Sequence, residues 1–224
     1  MKFNLNEYVR GDAFDYLSDI SDNSVDLVFT SCPDLSQTDF DKSKDGINSY
    51  QDFQKRAVEH FSRVVKPKGF VVICQTDRRV NGSVLSNHMW YANCLEECDM
   101  VLKDYKIVVR NQVGKKDMYY FTFQHMLIYT YEGTIKRGGD WLRDIYVDKQ
   151  EKIGNQSVWS QDFCKFVIDN LTKENDVVID PFAGVGPVLI AARTLNRRWW
   201  GAELADEFFN EDLQIKDDTK TFWP

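Results

Sequence analysis

Two short stretches carry side chains whose type and spacing can do chemistry. One is Asp180-Pro181-Phe182-Ala183-Gly184-Val185-Gly186, with Glu203 some twenty residues beyond Gly184; the other is Ser31-Cys32-Pro33-Asp34. Gly184 and Gly186 follow an apolar run, Val177 to Ile179, that reads as a buried strand closed by Asp180-Pro181. Glycines at such a turn let a ligand approach the backbone, and a carboxylate ending the next strand is placed to accept both hydroxyls of a ribose. The second stretch follows a strand predicted over Val25–Thr30, and polar residues at the C-terminal end of a buried strand lie where open α/β sheets bind ligands. There the Ser31 hydroxyl and the Cys32-Pro33 backbone offer acceptors for an amino group. Asp34 reads equally as a general base or as a carboxylate capping its own loop.

These groups need a frame. Pro187 suits the first position of a helix, because its missing amide hydrogen would go unpaired there, and Arg198 to Glu203 reads as the strand after that helix. Ala13, Leu17 and Ile20 give a short helical face after the Gly11-Asp12 turn. Phe53, Ala57, Phe61, Val64 and Val65 line one face of a longer helix ended by Pro67-Lys68-Gly69, and Phe70 to Cys74 follows as a strand. A helix from Val84 to about Cys98, a strand over Tyr105–Arg110 and an antiparallel strand within Tyr119–Tyr131 come next. Periodicity fails from Glu132 to Gln156, which reads as a surface insert carrying function. Ser157 is the expected cap of the helix whose stripe is Phe163, Phe166, Val167 and Leu171.

The 224 residues, 43% hydrophobic and 14% aromatic, suit one well-cored globular domain and exclude a disordered chain. No apolar run reaches membrane-spanning length and the N-terminus lacks a signal-peptide core, so a cytoplasmic protein is expected. Five cysteines without paired ligand spacing read as free thiols, and three histidines far apart in sequence suggest no metal site. A net charge of −7 counts against broad phosphate binding, although Arg78, Arg79, Lys136, Arg137 and Arg143 concentrate basic charge in the middle of the chain.

The run DVVIDPFAGVGPVLIAARTLNRRWWGAEL resembles the cofactor motif of S-adenosylmethionine-dependent DNA amino-methyltransferases, DPFxGxGT followed by a helix and GxE, with Pro187 at the usual Thr or Ser. Gly11-Asp12 through Thr30-Ser31-Cys32-Pro33-Asp34 resembles the catalytic GD…VDLVxTSPPY element, and VVKPKGFVVI and TFQHMLIYT resemble the strands between. Catalytic motif first and glycine loop last is the permuted order of the β class, and the likeness runs from about Tyr8 to Phe209. It implies an α/β, Rossmann-like methyltransferase fold, a doubly wound, mostly parallel seven-stranded sheet with one antiparallel strand. A single domain, residues 1–224, would carry a short target-recognition insert at about 132–156.

The resemblance assigns Asp12 and the adjoining Ala13 to the cofactor's adenine. It assigns Asp180, Pro181 and the Phe182-Ala183-Gly184 to Gly186 backbone to the methionine portion, and Glu203 to the ribose. Trp159 and Ser160 fall in a further, looser cofactor motif. The implied cofactor is S-adenosyl-L-methionine and the implied partner is DNA, as a duplex with a flipped base or as a single strand, with a homodimer or partner subunit left open. The catalytic group would be Ser31, Cys32, Pro33 and Asp34, acting on cytosine N4 ahead of adenine N6 because Ser opens the motif.

Two departures matter. Asp34 stands where the family has an aromatic and cannot stack, so Phe40 or Tyr50 would have to face the base. Cys32 replaces the first Pro. Ring-carbon methylating enzymes place their nucleophilic Cys after a Pro, not before one, so Cys32 reads as a buried strand-end thiol. Gln37, Arg78 and Arg79 would line the substrate mouth, with Lys136, Arg137 and Arg143 on phosphates. Two other readings remain: a binding or regulatory subunit that has lost catalysis, and a methyltransferase of a free nucleotide or other small acceptor.

Overall fold

A computed structural model describes residues 4–110, 121–135, 141, 143–153 and 156–214. Strands are β1 (Glu7–Arg10), β2 (Val25–Thr30), β3 (Val65–Gln75), β4 (Arg78–Val80), β5 (Ser83–Leu85), β6 (Val101–Arg110), β7 (Phe123–Thr130), β8 (Ile145–Asp148), β9 (Glu151–Ile153), β10 (Gln156–Val158), β11 (Val177–Asp180) and β12 (Arg198–Glu203). Helices are α1 (Ala13–Leu17), α2 (Lys44–Val64), α3 (Asn87–Glu97), α4 (Gln161–Leu171) and α5 (Pro187–Thr194).

Eight strands form the main sheet in the order β1-β12-β11-β2-β3-β7-β6-β8. Every neighbouring pair is parallel except those made by β7, which runs against both β3 and β6. Side chains alternate across the sheet, as strand geometry requires. Leu27, Phe29, Val72, Cys74 and Val178 pack under α4 and α5, while Val28, Val71, Ile73, Ile179 and Trp200 pack under α1, α2 and α3. Apolar side chains on both faces explain why the central strands are near-continuous hydrophobic runs.

The resemblance implies seven strands; among the described residues the sheet has eight, two of them short edge strands, β1 beside β12 and β8 beside β6. β8 comes from the stretch expected to be a surface insert. Trp141, in the same stretch, is 1% exposed. The buried Lys106 ammonium holds it, donating to the Trp141 carbonyl at 2.6 Å and the Arg143 carbonyl at 3.0 Å.

Three boundaries also move. Pro67-Lys68-Gly69 lies inside β3 rather than ending the helix, which stops at Val64, and the register jumps from Val25↔Val65 to Leu27↔Phe70 to accommodate it. Asn81 and Gly82 take the left-handed backbone of a tight turn, so Val84 joins a β4–β5 hairpin and α3 starts at Asn87. Ser157 lies in β10, and it is Ser160 Oγ that caps α4, accepting from Phe163 N at 3.1 Å.

Candidate active site

The order of the strands sets the site. From β11 the chain crosses through α5 to β12 on one side; from β2 it crosses through α2 to β3 on the other. The connections therefore diverge between β11 and β2, and a crevice opens at their C-terminal ends. Thr30 Oγ1 spans it, donating to Asp180 Oδ1 at 2.7 Å, and the Phe182 amide donates to the same oxygen at 3.2 Å. Asp180 is 2% exposed, and burial pushes its carboxyl up to about 7 against the pull of these two bonds.

Beyond Asp180 and the buried Pro181 the glycine loop is open. A Cβ at Gly184 would meet nothing within 4 Å, at a left-handed φ of 54°. Gly186, at φ 83°, lies against Leu213, so the short C-terminal turn covers that side of the loop. The Glu203 carboxylate ties the loop to β12, accepting from Gly184 N at 2.9 Å and Ala205 N at 2.8 Å. Burial raises its pKa while the amides oppose the shift. The Tyr8 hydroxyl donates to the Gly184 carbonyl.

β1 pairs Arg10 with Glu203, which brings Asp12 to the strand end beside that carboxylate. Asp12 is exposed and caps α1, accepting from Phe14 N at 2.9 Å, whereas Ala13 is buried in the core. Asp12, Ala13 and Glu203 thus flank the loop rather than line the main cavity.

Ser31, Cys32 and Asp34 share one cavity of about 500 Å³ with Asp180, Phe182, Ala183 and Gly184. Ser31 Oγ lies 3.5 Å from Gln75 Oε1. Cys32 is 2% exposed, and burial pushes its thiol up to about 12, so it stays protonated as a packed strand-end group. The Pro33 carbonyl accepts from Tyr50 OH at 3.1 Å. Asp34 opens a 3-10 turn over Leu35–Gln37, and Gln37 Oε1 accepts its amide at 3.0 Å. Its carboxylate pairs with Arg78 Nε at 2.5 Å, and Gln37 and Arg78 both reach the cavity.

Tyr50 and Phe40 do not stand in for the missing aromatic. Tyr50 is fully enclosed, and Phe40 packs on it and on Phe53 in a separate cluster. The aromatics that line the cavity are Phe121, Trp159 and Phe182. Arg79 turns away to lie over the Phe121 ring at 5.1 Å, and Arg143 is exposed outside the cavity. Lys136 and Arg137 lie outside the described residues.

Sequence reasoning missed Gln75, Thr76, Asp77, Arg110 and Gln124 as cavity residues; the first four end or follow β3 or β6, Gln124 lies at the start of the antiparallel β7, and only strand order reveals that they meet. It also missed that His88 and His125, set far apart in sequence, stack with centroids 3.7 Å apart beside Asp77. Asp77 lies 2.8 Å from His88 Nδ1, and Tyr105 OH is 2.5 Å from His125 Nδ1. Burial, then the His88 ring, lowers the His125 pKa.

A mostly parallel sheet with a glycine loop and an acidic strand end at its switch point defines a Rossmann-like methyltransferase fold. The chain belongs to the DNA methylase family of N6/N4 methyltransferases, which it matches over residues 25–216. The type II methyltransferase M.BglII of Bacillus subtilis is 26% identical, aligned over 96% of this chain and 69% of its own. M.BamHI of Bacillus amyloliquefaciens is 24% identical, over 96% of this chain and 59% of its own. Among solved structures, the cytosine-N4-specific PvuII DNA methyltransferase superposes with a TM-score of 0.81, covering 98% of this chain and 89% of its own at 15% identity. A Thermus thermophilus protein complexed with S-adenosyl-L-methionine gives 0.72 over 93% of this chain and 90% of its own at 21% identity.

Proposed function

We propose that this chain transfers a methyl group from S-adenosyl-L-methionine to an exocyclic amine of a DNA base, cytosine N4 ahead of adenine N6. The observation that carries the reading is the single cavity in which Ser31 and Asp34 meet Asp180 and the open Gly184 loop. The residues fit the cofactor: Gly184 leaves space for close approach, Asp180 offers a buried carboxyl, and the Glu203 carboxylate keeps acceptor capacity beyond its bonds to the Gly184, Leu204 and Ala205 amides. On this reading Asp180 and the loop backbone hold the methionine portion, Glu203 the ribose, and Asp12 with Ala13 the adenine edge. When bound, S-adenosylmethionine supplies an electrophilic methyl carbon on a sulfonium.

The protein's own work is mainly positioning: acceptors hold the amino hydrogens so that the lone pair turns out of the ring toward the methyl carbon, and one of those protons leaves to water once the N–C bond has formed. Ser31 Oγ, with its hydrogen directed at Gln75 Oε1, keeps lone pairs free to accept from the amine, and the Cys32 carbonyl is the second candidate acceptor. The Pro33 carbonyl is already turned to Tyr50. The base must leave the duplex to reach this geometry. Arg78, its plane fixed by Asp34 and Ser36, offers a flat cationic face on which a base stacks, in place of the family's aromatic. The exposed Arg143, and Lys136 and Arg137 near it in sequence, would contact phosphates from the 132–156 stretch, which serves as a small recognition region.

Cytosine precedes adenine because Ser opens the catalytic motif and because the cavity contains unused hydrogen-bond donors. The test is incubation with unmethylated genomic DNA and labelled cofactor, followed by mass analysis of the nucleosides. N4-methylcytosine is the expected product. Cofactor binding without any transfer would favour the regulatory-subunit reading instead.

A further inference from the structure

Arg110 ends β6 and reaches the same cavity, yet nothing in the proposed handling of the amine uses it. Among the described residues, one of its five N–H donors is committed, Nη2 to Thr76 Oγ1 at 2.7 Å. Its Nε is buried and has no partner among the described residues. No described carboxylate is in ion-pair contact with it; Asp148, its Cα partner in β8, and Asp34 act only through space. Burial is the first force on this group and works against its charge. A guanidinium kept in such a place with its Nε unpaired and no carboxylate in contact among the described residues has donors to spend on a ligand.

Gln124 stands on the same face of the sheet, opposite Val108, two residues before Arg110. Its Oε1 is taken by Trp159 Nε1 at 2.8 Å, which turns the amide so that its remaining groups are N–H donors. Arg110 and Gln124 therefore both turn N–H donors to this side of the cavity.

The Watson–Crick edges of the two bases differ in what such a wall can meet. Cytosine presents amine, N3 and the O2 carbonyl; adenine presents amine, N1 and a C2–H. With the amine held at Ser31, the third position is an acceptor in one base and a carbon in the other. We infer that Arg110, supported by Gln124, donates to the O2 carbonyl of a flipped cytosine and so determines the choice of cytosine over adenine. This rests on the methyltransferase reading above. An adenine in the same seat would leave a buried cation unpaired, and sites built on donors reject a substrate that lacks the matching acceptor by large factors.

The experiment uses randomised duplex oligonucleotides made with cytosine, with 2-thiocytosine or without cytosine, in single-turnover transfer by the full chain, with cofactor affinity measured alongside. 2-Thiocytosine keeps the amine and N3 and exchanges O2 for a weak acceptor. The wild type should methylate cytosine, lose roughly tenfold or more on 2-thiocytosine and leave adenine alone. Arg110→Met should lose about 10- to 100-fold on cytosine, no longer distinguish the thio base, and bind cofactor as before. Arg110→Lys, which keeps the charge, should fall between.

An Arg110→Met chain that keeps both its rate and its preference overturns the assignment while leaving the methyltransferase reading intact. Indifference of the wild type to the 2-thio exchange overturns it equally and needs no variant to fold. Transfer by the wild type to neither base overturns the methyltransferase reading and this inference with it.

Discussion

Asp34 and Arg78 form an ion pair at 2.5 Å on the cavity wall, and the same guanidinium reaches Ser36 Oγ at 2.5 Å. Both side chains are mostly withdrawn from solvent, 16% and 20% exposed. On the proposed function, the pair gives Asp34 a role other than facing the base: it fixes the plane of Arg78 at the cavity wall.

Asp34→Ala should release that plane. Transfer is expected to fall by about 100-fold through lost positioning, with cofactor affinity unchanged. Single-turnover rates and cofactor titration on one preparation check this. A loss of cofactor affinity in parallel with the rate would mean that Asp34 shapes the methionine end instead.

The carboxyl of Asp180 gives a pH signature. Its pKa, about 7, lies above the ordinary 3.8, so between those values the folded chain keeps a proton that the unfolded chain has released. Its contribution to stability is complete below about pH 4 and is lost as pH rises through about 7. Denaturation across this window should show the wild type losing stability relative to Asp180→Asn as pH rises. Cofactor binding runs the other way: the ionised form attracts an ammonium, so affinity should rise from about pH 6 to about pH 8, and the substitution should flatten that profile. A profile with the same slope in both proteins contradicts the assignment.

The two glycines of the loop should separate by mechanism. Both need a left-handed backbone, so either alanine costs about 1–2 kcal/mol of strain. At Gly186 the new methyl also strikes Leu213, and urea unfolding should show the larger loss there. Gly184→Ala meets open space, so its stability loss should be the smaller, with cofactor affinity taking the main effect. Equal cofactor affinity in wild type and Gly184→Ala would place the ligand elsewhere.

Lys106→Met leaves the Trp141 and Arg143 carbonyls without their buried donor. A loss of about 2–3 kcal/mol is expected from chemical denaturation. An unchanged midpoint would show that the insert docks without this anchor.

What the sequence disclosed follows physical lines. Val25–Thr30, Val177–Asp180 and the helix from Pro187 were legible because buried parallel strands are unbroken apolar runs and proline marks a helix start. The edge strands β1 and β8 are four residues each, too short for a period to register. Ser31 to Asp34 and the glycine loop were legible because their chemistry is local. Arg110, Gln75 and Gln124 were not: each is an unremarkable polar residue until the order β2-β3-β7-β6 brings three strand ends together. Tyr50 and Phe40 misled for the same reason, since aromaticity in sequence does not tell whether a ring faces a cavity or a core.

The central claim is tested most directly by labelled methyl transfer from S-adenosylmethionine to duplex and single-stranded DNA, with the digested nucleosides weighed and cofactor binding measured on the same sample. The expected result is cofactor binding and label recovered as N4-methylcytosine. Tight cofactor binding with no label in any DNA would contradict it.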